Sequence, residues 1–290
     1  MNETLKRLLS AVIALPIYFF LIITDAFNGF PILVLSLIIS LVCLHEFYQM
    51  NSAKNPSAKP FVVTGMFFAA LVNIVFYLVW VQSLHSKGYL FFEDFPFIFF
   101  TAIITFLVAI SFCFQIFRRS IDGAIYSLGV TLFGVIFIVV FFSHIILISA
   151  LKDGYIYILV MNIVVIVNDA AAYFGGVLFG KHKAGFAVSP KKSWEGYFFG
   201  LLFSIIIMFL ACEFVSAFFE IELFGRIEAV IVGVFISILA NIGDLAESAI
   251  KRDANVKDSG KIIPGHGGMW DVFDAMIFTM PFFYYYLLLR

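Results

Sequence analysis

The sequence predicts an all-α integral membrane protein with about nine transmembrane helices, and three observations carry that prediction. The chain has 290 residues, of which 63% are hydrophobic and only 13% are charged. Soluble domains are roughly 45–50% apolar and about 25% charged, so this chain cannot cover a water-exposed surface. Its apolar residues fall in runs of about 20, the length that crosses a bilayer as a helix. A transmembrane β-barrel would need strands of alternating polarity, which are missing from the sequence.

Nine apolar runs are interpreted as spans, separated by loops that carry polar residues, proline or glycine. The runs cover residues 8–24, 29–48, 61–81, 95–117, 124–151, 155–179, 197–219, 227–250 and 269–289. The fifth run is longer than a bilayer requires, so we expect it to tilt or to overhang the interface. Five spans (1–154) form the expected N-terminal scaffold, and four spans (155–290) form the expected catalytic region.

Charge predicts the orientation of these spans. Most of the 18 Lys and Arg residues lie in alternate loops, and such loops normally face the cytoplasm. An odd number of spans then places the N-terminus in the cytoplasm and the C-terminus outside. The formal net charge of −1 disfavours binding to nucleic acid.

Carboxylates within the last four spans are the strongest functional signal, because an acid inside a bilayer is costly and usually faces a polar interior. Asp244 and Glu247 are spaced i,i+3 on one helix, and Asp271 and Asp274 repeat that spacing on another. Two such helices facing each other can form a cation site, and Mg²⁺ prefers oxygen ligands completed by water and phosphate. The alternative is that these acids only pair with neighbouring Lys and Arg.

Three polar residues in the first five spans are predicted to have structural roles. His45 and Glu46 end the second run, where they are interpreted as interfacial capping residues. His144 lies inside the fifth run and is expected to be a buried, hydrogen-bonded histidine.

Two loops on the basic side carry lysines and glycines. One covers residues 189–196 and the other residues 257–268. Gly267 and Gly268 precede the last span, where free backbone amides and the helix dipole favour a phosphate. The alternative is the ordinary enrichment of cations on the cytoplasmic side.

Four segments carry recognisable motifs: residues 168–175, 189–196, 243–248 and 248–274, the last containing Pro-Gly-His-Gly-Gly and two aspartates. Together they resemble the signature of the CDP-diacylglycerol synthases, also called phosphatidate cytidylyltransferases. The family pattern has an arginine between those aspartates, where this chain has Val272. The resemblance implies that phosphatidate and CTP react with Mg²⁺ to give CDP-diacylglycerol and pyrophosphate, in the cell (inner) membrane with the site facing the cytoplasm.

The resemblance also implies roles for individual residues. The expected catalytic residues are Asp244, Lys251, His266, Asp271 and Asp274. The expected metal ligands are Asp244, Glu247, Asp271 and Asp274. The residues expected to bind the nucleotide and phosphates are Asn168, Asp169, Ser189, Lys191, Lys192, Ser193, Ser248, Arg252, Lys257, Lys261, Gly267 and Gly268.

Several alternatives stay open on the sequence alone. The expected partners are CTP, phosphatidate and the lipid bilayer, while a second cation and a homodimer are undecided. Intramembrane acids also occur in ion-coupled transporters, and a lipid kinase or another phosphotransferase would use similar groups.

Overall fold

The structure is a computed structural model that describes residue 12 and residues 16–24, 29–84, 95–118 and 121–290. Residues 16–23 are helical. The helices that follow are α1 (Phe30–Lys54), α2 (Val62–Leu84), α3 (Phe95–Arg118), α4 (Ala124–Gly134), α5 (Phe141–Ser149), α6 (Gly154–Phe179), α7 (Trp194–Phe219), α8 (Arg226–Asp253) and α9 (Trp270–Leu289). Only isolated β-bridges occur among the described residues.

Eight helical stretches within the described residues are long and apolar enough to cross a membrane. They correspond to the second to ninth predicted runs, so the prediction of an all-α polytopic membrane protein is confirmed. The first predicted run, residues 8–24, lies partly outside the described residues. The predicted orientation of the termini stays a prediction.

Several helices extend beyond the apolar runs that predicted them. Helix α1 ends at Lys54 rather than residue 48, α7 begins at Trp194 rather than 197, and α8 ends at Asp253 rather than 250. Hydropathy records the part of a helix that meets lipid, whereas the backbone hydrogen bonds continue into the interface. At the ends that charge predicts to face the cytoplasm, these helices therefore continue further than hydropathy indicates.

The long fifth run is one span of 26 residues, Ala124–Ser149. Its middle is a π-helical segment, Val135–Val140, that joins α4 to α5. His144 follows this segment, is 4% exposed, and its Nδ1 lies 2.8 Å from the carbonyl oxygen of Val140. The prediction of a buried, hydrogen-bonded histidine is confirmed.

The chain divides into two compact units. The first comprises residues 1–154 and 253–273, and the second comprises residues 155–252 and 274–290. The second basic loop and the start of α9 thus belong to the same unit as the first five predicted spans. That grouping follows from tertiary contacts between residues about 200 positions apart.

A polar network holds α1, α2 and α5 together inside the first unit. Asn73 is fully buried, and its Oδ1 accepts hydrogen bonds from Ser36 Oγ at 2.6 Å and Ser143 Oγ at 3.2 Å. Its Nδ2 donates to Ser40 Oγ at 3.1 Å. Polar groups in an apolar interior need such partners, since leaving them unsatisfied costs several kcal/mol.

Close helix approach organises the second unit. A Cβ added to Gly233 on α8 would lie 2.9 Å from the Cα of Ile205 on α7, so these helices meet at a position that only glycine permits. Glu213 on α7 pairs with Arg226 on α8 at 2.9 Å, and both side chains are exposed.

Candidate active site

Three carboxylates from two helices converge in the second unit. Asp244 and Glu247 lie on α8 and Asp274 lies on α9, and one oxygen of each lies within 4.8 Å of the other two. We call these three residues the acidic triad. The i,i+3 spacing places Asp244 and Glu247 on one face of α8, so both reach the same side of the helix.

Gly243 allows this convergence. A Cβ at residue 243 would lie 3.0 Å from both the Cα of Ala275 and the carbonyl oxygen of Asp274. The backbones of α8 and α9 therefore touch directly beside the triad. The Asp274 side chain is held in turn by the backbone N–H of Ala275, which donates to its Oδ1 at 2.6 Å.

Two lysines contact the triad. Lys192 forms an ion pair with Asp244, and its ammonium lies 5.3 Å from the ring centroid of Tyr197. Burial alone would lower the pKa of Lys192, but the attraction of the Asp244 carboxylate outweighs it and raises the pKa overall. Lys251 Nζ lies 2.5 Å from Oε2 of Glu247, whose side chain is 1% exposed. Pairing with lysine, the alternative reading of these acids, thus accounts for two of the three.

Asp169 adds a fourth carboxylate, because it interacts electrostatically with both Asp244 and Asp274. Four acids therefore face two lysines in this part of the second unit. The excess of negative charge is the condition that favours a divalent cation with oxygen ligands. The donor set is made only of carboxylate oxygens, which fits Mg²⁺.

Asn168 anchors Asp169. It is fully buried, its Nδ2 donates to Asp169 Oδ1 at 3.0 Å, and its Oδ1 accepts from Ser237 Oγ at 2.7 Å and Ser204 Oγ at 3.3 Å. These contacts join α6, α7 and α8. The amide of Asn168 is enclosed between these helices and orients Asp169. The expected binding of the nucleotide by Asn168 stays a prediction.

The first basic loop places its residues in different environments. Ser193 is 3% exposed and caps α7, with its Oγ accepting from the backbone N–H of Gly196 at 3.2 Å. Outside this loop, Ser248 on α8 has its Oγ 3.4 Å from Asp244 Oδ1 on the same helix face. Lys191 is exposed, and Ser189 is partly buried, with its backbone N–H donating to the carbonyl oxygen of Phe186 at 3.1 Å. Ser193 thus caps a helix, a role that the sequence analysis did not predict.

The second basic loop, residues 257–268, folds around the carboxylate of Asp271 in the first unit. Asp271 Oδ2 accepts hydrogen bonds from the backbone N–H of Ser259 at 2.8 Å, from Ser259 Oγ at 2.9 Å and from the backbone N–H of Gly268 at 2.7 Å. Gly267 has φ of +108° and a Cβ there would lie 2.6 Å from Asp271 Oδ2, so this position requires glycine. Asp271 therefore holds the loop against the start of α9.

Carboxylates of the chain itself occupy the amides at the start of α9. The N–H of Met269 donates to Glu46 Oε1 at 3.0 Å, and the N–H of Trp270 donates to Glu46 Oε2 at 3.0 Å. The prediction of free amides that would bind phosphate is therefore wrong, because Glu46 and Asp271 already meet the positive end of the helix dipole.

The interpretation of Glu46 as an interfacial capping residue is also wrong. Its side chain is 2% exposed, whereas the neighbouring His45 is exposed. The only sequence signal for Glu46 was an acid within an apolar run, and its partners lie more than 200 residues further along the chain.

The remaining cationic candidates lie at the surface. Each is exposed in the structure: Arg252 near the end of α8, and Lys257, Lys261 and His266 on the second basic loop.

The chain belongs to the cytidylyltransferase family, whose family model matches residues 5–290. It is also similar to curated relatives named phosphatidate cytidylyltransferase. The relative from Staphylococcus epidermidis strain RP62A is 31% identical over 287 residues, and the relative from Staphylococcus haemolyticus is 32% identical over 287 residues. The relative from Staphylococcus aureus strain COL is 29% identical over 289 residues. Each alignment covers 95% of this chain and 95% of the relative. The resemblance noted from the motifs is confirmed.

Proposed function

We propose that this chain transfers the cytidylyl group of CTP to phosphatidate, giving CDP-diacylglycerol and pyrophosphate. A phosphate oxygen of phosphatidate bonds to the α-phosphorus of CTP, and the bond between that phosphorus and the oxygen leading to the β-phosphate breaks. The observation that supports this most strongly is the acidic triad beside Lys192, in a chain of the cytidylyltransferase family. Carboxylates and lysines suit this reaction because phosphoryl transfer depends on positioning and charge neutralisation.

Asp244, Glu247 and Asp274 would hold Mg²⁺ in this proposal. Asp271, the fourth expected ligand, is not one of these three grouped acids, and its role as a metal ligand stays a prediction. The bound ion would neutralise phosphate oxygens of CTP and align them for displacement. Asp169 adds negative charge to the same region and is oriented by Asn168.

The cations would hold the phosphates of the two substrates. Lys192 lies beside the triad and Lys191 is exposed next to it in sequence. Lys257, Lys261 and His266 are exposed on the second basic loop. The acyl chains of phosphatidate would stay in the bilayer while its phosphate enters from the cytoplasmic side, the side that the distribution of Lys and Arg predicts.

An isotope experiment on membranes that contain the full chain tests this function. With CTP labelled at the α-phosphate, the label should enter lipid only when phosphatidate and Mg²⁺ are both present. With CTP labelled at the γ-phosphate, the label should leave as pyrophosphate. A lipid kinase would instead move the γ-label into lipid, and a transporter would move neither label into lipid.

Asp274→Asn should lower the rate by roughly a hundredfold, about 2.7 kcal/mol in the activation barrier, since it removes one carboxylate of the triad. Glu213→Gln is the matched control, because Glu213 is also an acid within a span but pairs with Arg226 away from the triad. Equal rates in the two variants would exclude the triad as the metal site.

A further inference from the structure

Glu46 is a buried carboxylate that belongs to none of the motifs in the last four spans. It lies on α1, its side chain is 2% exposed, and it contacts the second basic loop and the start of α9 within the first unit. Ser259 Oγ lies 3.1 Å from its Oε2, in addition to the two backbone N–H groups of Met269 and Trp270 at 3.0 Å. These hydrogen bonds offset the cost of removing the carboxylate from water, which a buried charge without partners would pay in full.

The helix start supplies that compensation. Successive N–H groups at the start of α9 point at both oxygens of Glu46, and the positive end of the helix dipole adds to their attraction. Each such bond to a charged group is stronger than one between neutral groups. A change of Glu46 therefore acts first on the position of this helix end.

Two glycines make room for the carboxylate. A Cβ at Gly260 would lie 2.8 Å from the Cδ of Glu46, and a Cβ at Gly268 would lie 2.5 Å from its Oε2. The loop thus wraps the carboxylate closely on two sides. The same contacts exclude any larger residue from these two positions.

Ser259 connects Glu46 to Asp271. Its Oγ lies 2.9 Å from Asp271 Oδ2 and 3.1 Å from Glu46 Oε2, and its N–H donates to Asp271. Gly268 lies beside both acids, since its N–H donates to Asp271 and a Cβ added to it would meet Glu46. A displacement at Glu46 would therefore reach Asp271 through Ser259.

We propose that Glu46 is a positioning residue for the transfer reaction. It holds the second basic loop and the first turn of α9 in one arrangement, and in that way orients Asp271 and the cations of the loop. This inference rests on the proposed function, because it assigns to Asp271 and the loop a part in that reaction. Glu46 itself does not contact substrate.

The main test compares Glu46→Gln with Asn73→Ala. Asn73 is also buried in the first unit and hydrogen-bonded, but its partners are Ser36, Ser40 and Ser143. Glu46→Gln should lower kcat at least tenfold and change KM for CTP less than threefold, because the loop remains present but is misaligned. Asn73→Ala should lower the melting temperature and leave kcat within about threefold of the unchanged chain.

A second readout does not depend on activity. Ile262 is 54% exposed on the loop, so Ile262→Cys in a Cys113→Ser background reports the accessibility of the loop to a water-soluble maleimide. Cys43 and Cys212 are buried, whereas Cys113 is exposed. Glu46→Gln should raise the rate of labelling at least threefold, and Asn73→Ala should not.

Each outcome decides the inference. A fall in kcat together with faster labelling supports it, and partial recovery of both in Glu46→Asp supports it further. A change in only one of the two readouts, or in neither, overturns it. If Glu46→Gln does not fold, Ser259→Ala removes the hydroxyl between the two acids and should shift both readouts in the same direction, whereas unchanged readouts in that variant overturn the inference. If the unchanged chain transfers no cytidylyl group, the proposed function fails. The labelling rate then decides only whether Glu46 holds the second basic loop in place.

Discussion

Lys192 offers the sharpest test of the site, because its replacement should change two substrate requirements in opposite directions. Its ammonium pairs with Asp244, a member of the acidic triad, and would also face the phosphates of CTP. Lys192→Met removes one positive charge without removing the bulk of the side chain. The triad then attracts Mg²⁺ more strongly, while the nucleotide loses a favourable contact.

The magnitude follows from the geometry of the pair. A hydrogen bond between charged groups contributes about 1.5–3 kcal/mol to stability. The two side chains are 25% and 33% exposed, so solvent screening reduces that contribution to about 1 kcal/mol. This corresponds to a factor of about five in an equilibrium constant. The concentration of Mg²⁺ for half-maximal rate should fall about fivefold, and KM for CTP should rise by at least the same factor.

Initial rates measured over a grid of Mg²⁺ and CTP concentrations separate these two effects. Lys183→Met is the matched control, because Lys183 lies in the same connection between α6 and α7, is exposed, and donates to the carbonyl oxygen of Lys191 at 3.4 Å. It should leave both constants unchanged. A higher Mg²⁺ requirement in Lys192→Met would refute the reasoning about the triad, and an unchanged KM would remove Lys192 from the nucleotide site.

Three further changes test other parts of the site. Asp271→Asn should lower both the melting temperature and kcat, the latter at least tenfold, since an amide oxygen accepts the three hydrogen bonds of Asp271 Oδ2 more weakly; a lower melting temperature with unchanged kcat would leave Asp271 a structural role only. Lys191→Cys should react with an impermeant thiol reagent only from the cytoplasmic side and more slowly with CTP present, and labelling from outside would overturn the predicted topology. Val272 is 37% exposed, and Val272→Arg should lower KM for CTP about tenfold through a charge-assisted contact of roughly 1.4 kcal/mol. An unchanged or higher KM in this variant would show that an arginine at residue 272 does not bind CTP in this chain.

Much of the fold was predictable from hydropathy, because a chain that crosses lipid must form long apolar helices, and such helices are visible in the sequence as long apolar runs. The helix ends were less predictable. Helix α1 runs to Lys54 and α8 to Asp253, in segments where interfacial water tolerates polar side chains and hydropathy no longer reports on the backbone.

The acidic triad was partly predictable as well. The spacing of Asp244 and Glu247 on one helix face is a local property, and the position of Asp274 near the start of α9 suggested a second helix. Their convergence depends on Gly243, whose missing side chain lets α8 and α9 touch. The sequence does not indicate which helix a glycine in an apolar run will contact.

The sequence by itself determined the class of protein, the family, and the acids and lysines from which the site is built, since composition, spacing and motif are local. Only the tertiary structure decided what those groups contact. Free amides were expected at the start of α9, yet Glu46 and Asp271 accept from them. The motif singled out Asn168, and the structure shows that its amide is enclosed between three helices and donates to Asp169. The physical reason is the same in both cases: a buried polar group must find a partner within its interior, and that partner lies wherever packing brings a chemically matching group, at any distance along the chain.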